Sequence, residues 1–152
     1  MRKRWSILFA FLLGLGIAPH AMALSPEVRT DGGIPYLSGG IGLDEREALD
    51  FVSQDYNLKL IFAMADGNYL SDVEVQIKDQ EGKTVLAATS QGPWFFAKLP
   101  PETYHVYATT PGRSQEKVSQ APSAGQTRIS FAFSSGDSPS TTASRPDSSS
   151  QW

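Results

Sequence analysis

Beyond its first 23 residues this chain has one imidazole with which to do chemistry. Its two histidines are His20 and His105, and it has no cysteine. A Ser-His-Asp hydrolase would have to use His105 as its base, and no Gly-x-Ser-x-Gly elbow accompanies it. A zinc peptidase site needs several imidazole, thiolate or carboxylate ligands, which one histidine does not supply in the usual form. The glycines Gly39, Gly40 and Gly42 precede a helical pattern, as in a phosphate loop. They lack the following Lys-Ser/Thr and the G-x-G-x-x-G spacing, so they predict a joint. Asp44, Glu45, Glu47 and Asp50 have helical spacing and no D-x-D-x-D-G calcium loop, which predicts a solvated helix face. The residues therefore predict no catalytic, metal or cofactor site, and His105 is expected to face outward from a strand beside Tyr107.

The elements that must position these residues begin after an address. Met1-Arg2-Lys3-Arg4 is basic, Trp5 to Ala18 is apolar, and Ala21-Met22-Ala23 is a small-x-small cleavage signal. The apolar run is short for a span of about 20 residues. A signal peptide over 1–23 is expected, with Leu24 the mature N-terminus and a retained membrane anchor as the alternative. No cysteine follows the cleavage site, so lipoprotein anchoring is not expected. Sec export to the periplasm, or outside the cell, fits.

Without the leader, 10 of the 13 Lys and Arg remain against 16 Asp and Glu, an acidic balance. This argues against nucleic acid or an anionic lipid surface as partner. Residues 134–152 are mostly Ser, Thr, Pro, Asp and Gly. Such a segment buries too little to offset its ordering entropy, so a disordered tail is expected there.

Leu24 to Gly42 reads as a Gly- and Pro-rich extended arm. Residues 43–54 predict one helix, capped by Asp44 with Glu47 three residues on, its apolar side formed by Ala48, Leu49, Phe51 and Val52. From Tyr56 the period becomes two. Leu58, Leu60, Phe62 and Met64 share one face of a strand, and Val73, Val75 and Ile77 share another. Asp79 to Lys83 forms a hairpin turn, and further strands follow at Thr84–Thr89, Gly92–Leu99, from Thr103, weakly around Gln115–Ser119, and at Arg128–Phe133. Six to seven strands with short turns predict a mainly β fold, an antiparallel β-sandwich with one short N-terminal helix.

The most distinctive block is Gly92-Pro93-Trp94-Phe95-Phe96-Ala97-Lys98-Leu99-Pro100-Pro101-Glu102-Thr103-Tyr104. It is a short aromatic strand, a proline-locked turn and the start of another strand. Together with Val73-x-Val75 and Asp79-x-x-Gly82-Lys83, it resembles the carboxypeptidase regulatory-like domains, which are transthyretin-like sandwiches. The matching positions are Gly92, Trp94, Phe96, Leu99, Pro100, Pro101 and Tyr104, with Glu102 where the family has a turn glycine. The resemblance covers Asn57 to Phe133 and leaves the arm and helix unaccounted for. The mature chain also resembles small exported proteobacterial proteins carrying this domain alone. In multidomain relatives the module accompanies a zinc peptidase or an outer-membrane receptor, and this chain has neither. The fold also hosts a hydroxyisourate hydrolase, but the further histidines and Tyr-Arg-Gly-Ser end of that enzyme are missing here.

The function expected is therefore non-catalytic: a protein-binding or accessory module of the cell envelope, its partner another envelope protein. A carbohydrate- or cell-wall-binding domain is the alternative, and a small hydrolase stands behind both. If Trp94 and Phe96 fill the sandwich, Phe95 faces outward with His105 and Tyr107 as a binding surface. If the helix covers that face instead, Phe95 and Tyr107 become a second core layer.

Overall fold

Period-two patterning builds most of the regular structure among the described residues. The computed structural model describes residues 25–134. The expected leader over 1–23, Leu24 and all of the expected tail but Ser134 lie outside the described residues. The elements are β1 (Arg29–Asp31), β2 (Ile34–Gly39), α1 (Leu43–Val52), a 3-10 turn (Ser53–Asp55), β3 (Leu58–Met64), β4 (Glu74–Lys78), β5 (Thr84–Thr89), β6 (Trp94–Ala97), β7 (Thr103–Thr110), β8 (Arg113–Gln120) and β9 (Thr127–Phe133). They form a five-stranded sheet ordered β1-β2-β6-β3-β9 and a four-stranded sheet ordered β5-β4-β7-β8. Among the described residues the protein is mainly β, with two sheets and one short α-helix.

Two features depart from the sequence expectation. Among the described residues nine strands form where six to seven were expected, because the Gly/Pro arm is itself a hairpin. Its two-residue turn is Gly32-Gly33, with φ of 56° and 82°, the positive pair that a tight hairpin turn requires. The sheets are also not wholly antiparallel, since β9 runs parallel to β3 from Leu58↔Thr127 to Met64↔Phe133. A parallel pair needs a long crossover, and here the four strands of the second sheet and β6 supply it.

The main core lies between the sheets and includes Leu60, Phe62, Ile77, Leu86, Phe95, Val106 and Phe131, all buried. A second, smaller core of Leu37, Leu49, Tyr56 and Phe96 lies on the other side of the first sheet, with Val52 and Trp94 against it. Strand β6 thus buries both faces, in the opposite sense to the first expectation. Phe95 points into the sandwich, stacked on Tyr36 at 5.2 Å, while Trp94 and Phe96 meet the helix side. A period of two says which residues share a face. It does not say which face is inside.

Helix α1 also differs in detail from its pattern. Its N-cap is Gly42 with no side-chain cap bond, so Asp44 does not cap it. Glu45 instead accepts from the backbone N–H of Ile41 at 2.9 Å. Leu49 is its one buried residue, and Phe51, expected on the apolar side, is 83% exposed. At the joint before the helix, a Cβ on Gly92 would collide with the carbonyl of Gly39. Glycine at position 92 is thus required by the close approach of two backbones.

Beneath the helix lies Lys59, only 4% exposed. Register puts it beside Phe96 on the outer side of the first sheet. Its Nζ lies 3.7 Å from the centroid of the Trp94 ring and 4.9 Å from that of Phe96, and it donates to Asp50 Oδ1 at 3.3 Å. Burial pushes the ammonium below the ordinary lysine range, and Asp50 opposes that shift.

Polar side chains join what the cores leave separate. Asn57 donates to the carbonyls of Leu99 at 2.7 Å and Pro122 at 3.0 Å, and accepts from the N–H of Leu99 at 2.9 Å. The Tyr104 hydroxyl donates to the Pro100 carbonyl at 3.0 Å, locking the proline turn. At one corner of the sandwich Asp31 accepts from the N–H of Ala87 at 2.8 Å. At the other, Gln115 and Lys117 donate to the carbonyls of Ala132 and Ser130 at 2.6 and 2.7 Å. These bonds occupy edge groups that would otherwise template pairing with another chain.

Asn57→Ala is expected to cost about 2–3 kcal/mol in urea unfolding, because three bonds vanish and buried backbone groups lose partners. Lys59→Ala should cost about 2–3 kcal/mol by emptying the space under Trp94. Lys59→Met keeps the volume and should change stability by less than about 1 kcal/mol at neutral pH. Between the lowered native pKa of Lys59 and its ordinary 10.5, the unfolded chain holds a proton the native state has released. Wild-type stability should therefore rise with pH in that window relative to Lys59→Met, as measured by unfolding at successive pH values.

Candidate functional site

The outer face of the second sheet is built by register. Lys78, His105 and Val118 form one row across β4, β7 and β8. Gln76, Tyr107 and Glu116 form the next, and Glu74, Thr109 and Ser114 the third. Alternation turns Val75, Ile77, Tyr104, Val106 and Ala108 inward, so these three rows face out. A shallow depression of about 490 Å³ runs over them, lined in part by Gln76, Lys78, Tyr107 and Thr109.

Glu116 is the hub of the face. Its Oε1 lies 2.6 Å from His105 Nδ1, and Tyr107 is its partner in the strand register. The bond from His105, then that from Tyr107, holds the Glu116 carboxyl below its usual range. The Tyr107 hydroxyl is pushed up, chiefly because it donates to that carboxylate. A carboxylate only accepts, so His105 Nδ1 is the donor in this bond. Lys78 Nζ lies 5.2 Å from the centroid of the Tyr107 ring, a cation over an aromatic face. One row further, Thr109 and Ser114 hydroxyls pair at 2.8 Å.

The imidazole and the hydroxyl pair lie apart on this face. His105 and Thr109 are four residues apart on one strand, about 13 Å, so the hydroxyl pair is out of reach of the imidazole. Among the described residues no three His, Cys, Asp or Glu side chains are grouped to hold a metal ion. No helix among them is long and apolar enough to cross a membrane.

Of the three surface residues expected from sequence, His105 and Tyr107 come together and Phe95 does not. Phe95 is fully buried in the first sheet, whereas His105 and Tyr107 belong to the second. It therefore cannot share their face. Sequence reading missed Glu116 and Lys78. The signal for Glu116 was its place in a polar strand whose alternation is weak, and only pairing with β7 sets it between His105 and Tyr107. The residues that carry the family resemblance lie as follows: Gly92 against Gly39, Trp94 and Phe96 under the helix, Leu99 buried, and Pro100 and Pro101 in the turn tied by Tyr104. Glu102 accepts through its carbonyl from the N–H of Ala121 at 2.8 Å.

A scan of protein-family models finds no match to this chain, and a search of curated proteins finds none either.

The Glu116 hub gives a pH signature. Its native pKa lies below the ordinary 4.5, so its stabilisation is present above that value and is lost as pH falls through the native one. Comparing wild type with Glu116→Gln by thermal unfolding from about pH 6 to about pH 3, the wild-type advantage should shrink toward the acid end.

Proposed function

We propose that this chain is a non-catalytic, exported β-sandwich of the carboxypeptidase regulatory-like, transthyretin-like kind. It serves as a protein-binding or accessory module of the cell envelope and engages its partner through the outer face of the second sheet. The observation that carries the reading is an asymmetry between the two sheets. Helix α1 lies over the outer side of the first, while the second leaves His105, Tyr107, Glu116 and Lys78 facing solvent in adjoining rows.

Two packed sheets and the Gly92-x-Trp94-x-Phe96, Leu99-Pro100-Pro101 and Tyr104 residues are compatible with that family. The basic and apolar leader with its Ala21-Met22-Ala23 site supports export to the periplasm. A protein partner is preferred to a glycan because Lys78 already lies over the Tyr107 ring, so a sugar stacking on that side would have to displace it. The face offers donors, acceptors and both charge signs within a short distance, the mixed character of a non-obligate protein interface.

The test is a photo-crosslinking residue in place of Tyr107, irradiated in living cells, with a matched substitution at Glu81 in the β4–β5 turn. One dominant protein adduct at position 107 and none at 81 is the expected result. No adduct at 107 from a folded variant would end the protein-contact reading of this face.

A further inference from the structure

The exposed half of α1 is unlike an ordinary solvated helix face. At 3.6 residues per turn, Leu43, Asp44, Glu47, Asp50 and Phe51 share one half of α1, and Glu45, Arg46, Leu49 and Val52 share the other. The burial matches: the first five are exposed and the other four are wholly or partly covered. Leu43 and Phe51 are 70% and 83% exposed, so two of the helix's large apolar side chains point into water.

The charges are sorted as well. Three acids lie on the outer half and no base does. Arg46 is turned toward the sheet, donating to the Gly40 carbonyl at 2.6 Å with its guanidinium 4.7 Å from the centroid of the Tyr69 ring. Lys59 is enclosed under Trp94 and reaches only Asp50. The helix N-terminus offsets Asp44 in the first turn, but Glu47 lies beyond it. At that end a groove of about 530 Å³ continues the surface, lined among others by Ile41, Leu43, Asp44, Glu27 and Glu45. Glu27 is paired with Arg29 and Glu45 with the Ile41 N–H, so the net charge of the surface rests on Asp44, Glu47 and part of Asp50.

We propose that the outer half of α1, together with this groove, docks a basic amphipathic helix of a partner protein. Its apolar side chains pack on Leu43 and Phe51, and its lysines or arginines face Asp44, Glu47 and Asp50. Leu43 and Phe51 are eight residues apart, about 12 Å along the axis, which suits two anchors one heptad apart on the incoming helix. This surface is separate from the face of the second sheet and does not rest on that reading.

The probe is a synthetic helical peptide with two leucines about seven residues apart and lysines flanking them, titrated into the full 15N-labelled chain. Its twin has glutamate for every lysine. Amide shifts should move along α1 and at Ile41, and the glutamate twin should leave them unchanged. The double variant Leu43→Ser, Phe51→Ser should weaken binding at least about tenfold and Asp44→Asn with Glu47→Gln about threefold to fivefold, while Glu116→Gln has no effect. All of these residues are exposed, so the variants should fold, as their spectral dispersion will show. Unaltered affinity in the Leu43/Phe51 variant, equal binding of both peptides, shifts confined to the second sheet, or no binding at millimolar peptide would each overturn the proposal.

Discussion

Strand β6 is buried on both faces, and the rest of the molecule is arranged around that constraint. Phe95 fills the space between the sheets, while Phe96 and Trp94 need cover on the far side. Helix α1 provides the cover through Leu49, and Tyr56 after it closes the layer. Lys59, beside Phe96 in register, is trapped in this layer and held by the Trp94 ring and Asp50. An aromatic box and one carboxylate keep a charge where few charges are tolerated. The same strand requires Gly92 to touch Gly39, so the joint before the helix is fixed by packing.

Closure of the corners then decides which surfaces are left. Asp31 ties β1 to β5 through the backbone N–H of Ala87, and Gln115, Lys117 and Thr127 tie β8 to β9 by donating to backbone carbonyls. With strand edges occupied in this way, pairing with a foreign strand is disfavoured. A sheet face and a helix face are left exposed. They differ in kind: the sheet face is a hydrogen-bonded network of mixed charge, and the helix face is acidic with two isolated apolar side chains.

Much of the fold was legible because alternation is a local property. The Val75 and Ile77 face, the Asp79–Lys83 turn and the strand from Thr103 follow from side-chain type and turn chemistry alone. The arm was misread because a Gly-Gly turn between two short strands has little apolar patterning to announce it. Phe51 was placed on the apolar side because a helix pattern counts hydrophobic residues without knowing how wide a stripe the sheet will cover. Asn57 carried no pattern at all, since its three partners lie 42 and 65 residues away.

The sequence by itself determined a mainly β chain with one helix, and one imidazole beyond the first 23 residues for any chemistry to use. Those properties depend on composition and on spacing between near neighbours, which the chain carries in any conformation. Only the tertiary structure decided that Phe95 is inside, that Glu116 lies between His105 and Tyr107, and that the helix turns Arg46 inward and Asp44, Glu47 and Asp50 outward. Each of these depends on which strand lies next to which and on which face a second layer covers. Such relations join residues far apart in the chain, and they exist only once packing has chosen among faces that local periodicity leaves equivalent.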